Sequence, residues 1–345
     1  KMHRLPAPAR SALACSAVAL TQSSSTQRDE AAQCHGAGSG HGGAPLPQKW
    51  LHAHVPKERP HLLFGIPKKG RLHEKIKDML KGAGIEYTRE PRLDIAHCND
   101  LPVSLVFLPA ADIATYVGEG DVDLGITGED IIAESEVDVK ELMKLGFGKC
   151  RLCVQAPKGT RSGPGELAGQ RIVTSFPNLT KAYFAKLEAE GNPTRIKCIS
   201  GSVEAACGLG LADGIVDLVE TGTTMRAAGL EEVSTIMPTQ TVLIANKHSR
   251  HAALIETLRK RLAGYLTASR YMMIVYNVDR DNLARATAIT PGKNSPSIMP
   301  LERSNWVAVS ALVPKKKAAQ LMDDLEAVGA TDILLTSLAS SRMGD

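Results

Sequence analysis

The sequence predicts an α/β protein whose first part folds as two lobes around a cleft and whose last part is a separate βαββαβ unit. Three observations predict it. From residue 61 onward, short apolar runs alternate with stretches of helical period. One strand, turn and helix pattern occurs twice, at 122–130 and 216–224. The residues after about 270 carry the element order of a ferredoxin-like sandwich.

At 345 residues the chain has room for two or three cores, and with only 4% aromatic residues these are aliphatic. The net charge of +4 is spread thinly, which favours small anionic ligands and argues against nucleic acid, since no basic stripe is present. No apolar run reaches bilayer-spanning length, so no membrane crossing is expected. Seven irregularly spaced cysteines do not form a disulfide framework and predict a reducing, cytoplasmic location. Cys150 and Cys153 lie three apart in a predicted strand and face opposite sides, as buried small side chains rather than a metal or redox pair. Residues 1–60, rich in Ala, Ser, Gly, His and Pro, are expected to be a disordered extension. Arg4 and Arg10 before the apolar 12–20 imitate a targeting segment without a convincing cleavage site, and Asp29 and Glu30 weaken an organellar version. His35, His41, His52 and His54 complete no metal site.

The folded part begins with a strand at 62–66 and a cationic turn, Pro67-Lys68-Lys69-Gly70. Leu72, Ile76, Met79 and Leu80 then mark one face of a helix ending near 82–84. Lys68, Lys69 and Arg71 at that helix start form a candidate polyphosphate site, though solvated lysines on a loop explain them equally. A strand at 103–108, a helix capped by Asp112 and a strand at 122–127 follow. Further strands are expected at 151–156, 171–175 and 241–245, with Thr180 capping a helix that carries Tyr183 and Phe184. Leu254, Leu258, Leu262 and Leu266 stripe one helix. The lobes are therefore expected at 61–155 with 239–268, and at 156–238. In the last unit, over 270–345, strands are expected at 271–278, 297–301, 306–313 and 332–337, with helices at 281–289 and 315–328.

The repeat carries the most chemistry. Val122-Asp-Leu-Gly-Ile-Thr-Gly-Glu-Asp130 matches Val216-Asp-Leu-Val-Glu-Thr-Gly-Thr-Thr224 without a gap. In the second copy a buried apolar strand breaks into Glu220-Thr221-Gly222-Thr223-Thr224 before a short helix, a turn whose amides and hydroxyls suit a phosphate monoester. An ordinary turn capped by Thr221 or Thr223 would use one threonine, not three and a glycine. Asp213 and Asp217 could hold the vicinal hydroxyls of a ribose whose 5-phosphate sits in that turn. In the first copy Glu129-Asp130 would repel a phosphate, so that copy is expected to meet another substrate.

With these residues in hand, the chain resembles the ATP phosphoribosyltransferase family in its long, fungal-like form. IPKKGRL, LDIA with Arg92 before it, VGEGDVDLGITG, the stretch from Gly201 to Leu230 and ITPGKNSPSIMPL carry the likeness over 61–342. The resemblance implies a two-lobed catalytic part like type II periplasmic binding proteins, a C-terminal ACT-like domain that binds histidine for feedback inhibition, a homo-hexamer and magnesium. It implies that N1 of ATP attacks C1 of phosphoribosyl pyrophosphate. It places Asp213, Asp217, Glu220, Thr221, Gly222, Thr223 and Thr224 on phosphoribosyl pyrophosphate, with Glu204 beside them. Lys68, Gly70, Arg71, Arg92, Asp123 and Gly125 would line the ATP side, with Arg92, Glu204 and Asp217 in catalytic roles. No protein metal site is implied; magnesium would ride on substrate phosphates. Asn277, Ser295 and Ser297 match the regulatory loop, although Asn277 stands where some members have aspartate. Phe107-Leu-Pro109 replaces arginines found in many bacterial members, so one cationic contact must be absent or come from elsewhere. Two other readings compete: a non-catalytic two-lobed protein that binds an anionic ligand, and a phosphoribosyltransferase acting on a free base. The second is weakened because Asp217 is flanked by Val216 and Leu218 rather than by another acid.

Overall fold

The computed structural model of the chain describes residues 61–342 except residue 190; the extension expected at 1–60 lies outside them. Along the chain run β1 (Leu62–Pro67), α1 (Arg71–Gly82), β2 (Tyr87–Thr88), β3 (Ile95–Cys98), β4 (Val103–Leu108), α2 (Ile113–Glu119), β5 (Leu124–Gly128), α3 (Glu129–Ser135) and β6 (Lys140–Lys144). Next come β7 (Cys150–Pro157), β8 (Arg171–Thr174), α4 (Pro177–Phe184), β9 (Arg195–Cys198), α5 (Ala205–Gly208), β10 (Gly214–Val219), α6 (Thr223–Ala227), β11 (Leu230–Thr239) and β12 (Thr241–Ala245). The last part holds α7 (Ala252–Ala268), β13 (Tyr271–Asp279), α8 (Leu283–Ile289), β14 (Ser297–Pro300), β15 (Trp306–Pro314), α9 (Ala318–Ala327) and β16 (Thr331–Ser337).

Two sheets build the lobes. Lobe I has the order β2-β3-β4-β1-β5-β12-β6, in which β4, β1 and β5 are parallel and β12 runs antiparallel beside β5. Lobe II has the order β9-β8-β10-β7-β11, in which β9, β8 and β10 are parallel and β7 runs antiparallel beside β10. Each lobe thus repeats one plan. Three parallel strands are followed by an antiparallel strand that has just crossed from the other lobe, then by an edge strand. This is the expected two-lobed, periplasmic-binding-protein-like arrangement. Because β7 pairs with both β10 and β11, it belongs wholly to lobe II. The first crossing therefore falls between Lys144 and Cys150 rather than after 155, and the second falls at Gln240.

Lobe I has two apolar clusters; in the larger, Phe64, Ile66, Leu105, Ile126 and Leu243 pack under Leu258 and Leu262 of α7. Those two leucines are fully buried, which is why α7 is amphipathic and seals one face of the sheet. Thr180 does not start its helix as expected. It sits one turn inside α4, buried, with its hydroxyl on the carbonyl of Phe176 at 2.6 Å. β11 was not anticipated because Glu231, Glu232 and Pro238 make it read as a loop. At the edge of the sheet those residues are tolerated, and two register shifts against β7 accommodate them.

The C-terminal sheet has the order β14-β15-β13-β16 with antiparallel neighbours. With Ala286 of α8 and Leu325 of α9 packed over Ile274, Tyr276 and Val309 of the sheet, this is the predicted ferredoxin-like sandwich. Tyr276 is fully buried and satisfies its hydroxyl on Thr290 at 2.8 Å. Among the described residues no helix is long and apolar enough to cross a membrane.

Candidate functional site

The turn after β10 forms a pocket lined by Gln155, Glu204, Asp217 and residues 218–225. The buried run Gly214–Val216 fixes β10 between β7 and β8, so the chain leaves the sheet edge at Glu220 in a set direction. Gly222, at φ 73, makes the turn into α6, a conformation that costs other residues roughly 1 kcal/mol or more. No side chain caps α6, so the capping role weighed for Thr221 or Thr223 is not taken. Instead their hydroxyls meet each other at 3.0 Å, and Arg226 donates to the carbonyl of Thr221 at 3.1 Å. Three threonine hydroxyls and the first amides of α6 are thus gathered at one exposed point.

Asp217 lies inside this pocket and Asp213 does not. The Asp217 carboxylate accepts from the Leu218 amide at 2.8 Å; burial, with the charge of Glu204 adding to it, pushes its pKa up. Asp213 stands at the far end of β10, held by Arg171 Nε and Nη2 at 2.9 Å each and by the Arg171 amide at 3.1 Å. The arginine holds its carboxyl down at about 2. Asp213, expected to take ribose hydroxyls, is thus placed outside the pocket and engaged by Arg171 in holding the fold. A group with a depressed folded pKa stabilises fully above its unfolded value near 3.8, and loses that contribution as pH falls through about 2. Asp213→Asn should lower the melting temperature at pH 7 and converge on the parent in strong acid. Equal melting at pH 7 would refute the assignment.

The repeat also needs a new register. The Asp123 carboxylate accepts from the Leu63 amide at 2.9 Å, and the Asp123 amide donates to the Leu63 carbonyl at 3.0 Å. Asp213 makes the same pair of bonds with Arg171. The backbone equivalent of Asp123 is therefore Asp213, not Asp217. The helix begins at Glu129, six residues after Asp123, but at Thr223, ten residues after Asp213. Four additional residues in lobe II extend the turn into the threonine loop, while Asp217 stays within β10, paired with Cys153. Asp123 and Gly125, expected to line the ATP side, are both engaged in packing within lobe I. Asp123 also takes the Ser249 hydroxyl at 2.6 Å, and a Cβ on Gly125 would stand 2.8 Å from Ile113 and Val117.

The cationic turn of lobe I lies where β1 and β4 end side by side, at the carboxyl edge of parallel strands where α/β proteins bind ligands. Lys68 pairs with Asp94 at 2.7 Å, and Asp94 also receives Arg89 at 3.4 Å. Arg89 lies 3.8 Å over the ring of Phe107 and donates to the Leu93 carbonyl at 2.9 Å. Arg92 is exposed and holds φ 70, a strained conformation for a side-chain-bearing residue. Gly70 is exposed at the start of α1; the side chain of Arg71 lies outside the described positions. None of these residues lines the lobe II pocket, which is built from its own lobe. Arg89, Asp94 and Gln155 were missed from sequence. Only Gln155, a buried amide in an apolar strand whose Nε2 donates to the Asp217 carbonyl at 3.3 Å, carried a usable signal.

The first copy of the repeat was expected to meet another substrate, with Glu129 and Asp130 turning a phosphate away. Their bonds run to the crossing segment instead: Glu129 accepts from the Gln240 amide at 3.1 Å and pairs with Lys144 at 2.7 Å, while Asp130 takes the Thr239 hydroxyl at 2.5 Å.

In the C-terminal sandwich Ser295 and Ser297 line a pocket of about 370 Å³ with Met273, Lys293 and Ser310. Asn277 lies outside it. Its amide donates to Asp332 at 2.9 Å, four residues along β13 from Met273, so the pocket expected to contain Asn277 does not.

The family described as ATP phosphoribosyltransferase matches residues 109–264, and that described as HisG, C-terminal domain, matches 268–340. The ATP phosphoribosyltransferase of Yarrowia lipolytica is 49% identical over 286 residues, covering 82% of this chain and 97% of that protein. That of Saccharomyces cerevisiae is 48% identical over 287 residues with the same coverage. A solved structure described as the ATP phosphoribosyl transferase (HisG:HisZ) complex from Thermotoga maritima matches with a TM-score of 0.51 and 31% identity. It covers 59% of this chain and 98% of its own.

Proposed function

The chain belongs to the ATP phosphoribosyltransferase family and carries out the first step of histidine biosynthesis, and on that premise we propose how its two edges divide the work. The threonine loop holds the 5-phosphate of phosphoribosyl pyrophosphate. Asp217 accepts from the ribose hydroxyls, and Glu204 and Glu220 complete the acidic wall beside it. Lys68, Gly70, Arg71 and Arg92 meet the phosphates of ATP, and Arg89, stacked on Phe107, stands where the cation absent from Pro109 would act. N1 of adenine then displaces pyrophosphate at C1 of the ribose: the N1–C1 bond forms, the C1–oxygen bond breaks, and the electron pair leaves on pyrophosphate. No enzyme nucleophile takes part. The protein's contribution is alignment and electrostatic stabilisation of the oxocarbenium-like centre and the departing anion.

The observation that carries this reading is the pocket itself, where an uncapped helix start and three hydroxyls adjoin the carboxylates of Asp217 and Glu204. Those carboxylates are oxygen donors suited to a hard cation, but no group of three His, Cys, Asp or Glu converges among the described residues. Magnesium would be held mainly by substrate phosphates, neutralising part of the negative charge that the loop and Lys68 also meet. The pocket around Ser295 and Ser297 is the candidate site for inhibitory histidine. Exposed Ile298 and Met299 on edge strand β14, with Leu334 on the opposite edge strand, support contacts between copies in a homo-hexamer. The free cysteines are in keeping with a cytoplasmic setting.

The deciding assay combines ATP, phosphoribosyl pyrophosphate and magnesium and follows phosphoribosyl-ATP by absorbance, with and without histidine. Product is expected, and its formation is expected to fall when histidine is added. No product from a folded sample would sink the reading. Ser297→Trp, which fills the C-terminal pocket, should abolish the response to histidine; undiminished inhibition would place the effector elsewhere.

A further inference from the structure

Helix α4 of lobe II begins at Pro177, and the residue before it, Phe176, has no side chain able to cap it. Its first amides are nevertheless satisfied. Glu134 of lobe I reaches across so that its Oε1 accepts from the Asn178 amide at 2.8 Å and its Oε2 from the Leu179 amide at 3.0 Å. The Asn178 side chain returns the contact, donating to the Glu134 carbonyl at 2.8 Å. A carboxylate at the positive end of a helix is the strong form of a cap, and here it comes from the other lobe.

The rest of α3 explains why this contact can act at a distance. Its first turn is tied to the second crossing: the Glu129 amide donates to the Gln240 carbonyl and the Asp130 amide to the Thr239 hydroxyl, at 3.1 Å each. Ile131, between the two ends, packs against the core of lobe I and also against that of lobe II. One short helix therefore grips the crossing segment with its amino end, wedges an apolar side chain into both cores, and clasps α4 with its carboxyl end. We infer that α3 is a strut that sets the width of the cleft, and that Glu134 is the positioning residue that latches it to lobe II.

Without the latch, the arrangement in which both edges face their substrates becomes a minor population. Each substrate then binds more weakly by the fraction lost, while saturating substrates draw the lobes together again. Two charge-assisted hydrogen bonds are at stake, enough for roughly a 10-fold effect or more. The consequence for turnover rests on the cleft reading above, but the latch does not, so the test has two arms. Hydrogen exchange on the unliganded full-length protein reads the amides at the start of α4, and saturation kinetics read both substrates. Glu134→Ala is expected to speed exchange at Asn178 and Leu179 and to raise both KM values roughly 10-fold, with kcat within about 2-fold of the parent. Glu134→Gln keeps one acceptor and preserves shape, so it should fall between the two and guards against a variant that fails to fold. Parent-like exchange in Glu134→Ala would overturn the latch. Faster exchange with unchanged KM values would overturn its role in the cleft. A purely structural contribution would lower melting temperature and specific activity without separating KM from kcat.

Discussion

Thr223→Glu is expected to raise the KM for phosphoribosyl pyrophosphate by at least about 100-fold while leaving the protein folded. Thr223 is the first residue of α6, and its hydroxyl meets that of Thr221 at 3.0 Å. A carboxylate there would stand within about 4 Å of a bound phosphate, where like charges repel by about 4 kcal/mol at the effective dielectric of a protein surface. Even half of that, about 2 kcal/mol after solvent and the longer side chain's freedom, is roughly 30-fold, and losing the hydroxyl contact, about 1 kcal/mol, brings the total past about 100-fold. Folding should tolerate the change, because an acid near the amino end of a helix is favourable and the position is exposed. Saturation kinetics in phosphoribosyl pyrophosphate at fixed ATP, beside a thermal melt, measure both. An unchanged KM would remove the threonine loop from the substrate site. Thr223→Val separates the effects, since it removes the hydroxyl without adding charge and should raise KM only several-fold.

What could be read from the sequence followed the periodicity of burial. β10 and β5 were legible because strands buried on both faces leave apolar runs, and the C-terminal order was legible because β13 and β15 are long apolar runs with helical stretches between the strands. The threonine loop was legible for a different reason: a glycine among hydroxyl residues at a strand end has few structural uses. β11 was not, since an edge strand can carry Glu231, Glu232 and Pro238. The repeat was found but set four residues out, because Val-Asp-Leu recurs at 122–124 and 216–218 while the conserved backbone role belongs to Asp123 and Asp213. A sequence match records letters, whereas the fold had kept a pair of hydrogen bonds. Contacts between lobes left no local trace at all. Nothing local marks Glu134, and the partners that Glu129, Asp130 and Glu134 find in Gln240, Thr239 and Asn178 arrive from more than forty residues away.

Asp217 lines the pocket and Asp213 does not, and this yields a prediction in which activity and stability move in opposite directions. Asp217→Asn is expected to lower kcat/KM for phosphoribosyl pyrophosphate roughly 10- to 100-fold, the worth of a hydrogen bond to a charged acceptor. It is also expected to raise the melting temperature at pH 7. Burial first, and then the charge of Glu204, hold the pKa of Asp217 above its ordinary value near 3.8, against the pull of the Leu218 amide. An acid whose folded pKa is raised binds its proton more tightly in the folded state than in the unfolded one. Above that folded pKa, keeping it ionised therefore costs stability, and the cost disappears as pH falls below the unfolded value. Asparagine keeps an acceptor for the Leu218 amide and carries no charge to desolvate, so its advantage should be full at pH 7 and vanish toward pH 3.8 and below. Asp213→Asn should do the reverse at pH 7, because Arg171 makes that charge an asset to the fold. Kinetics and melts on both variants at two pH values decide between the aspartates. Retained activity in Asp217→Asn, or a melting temperature that falls at pH 7, would show that Asp217 serves the fold rather than the substrate.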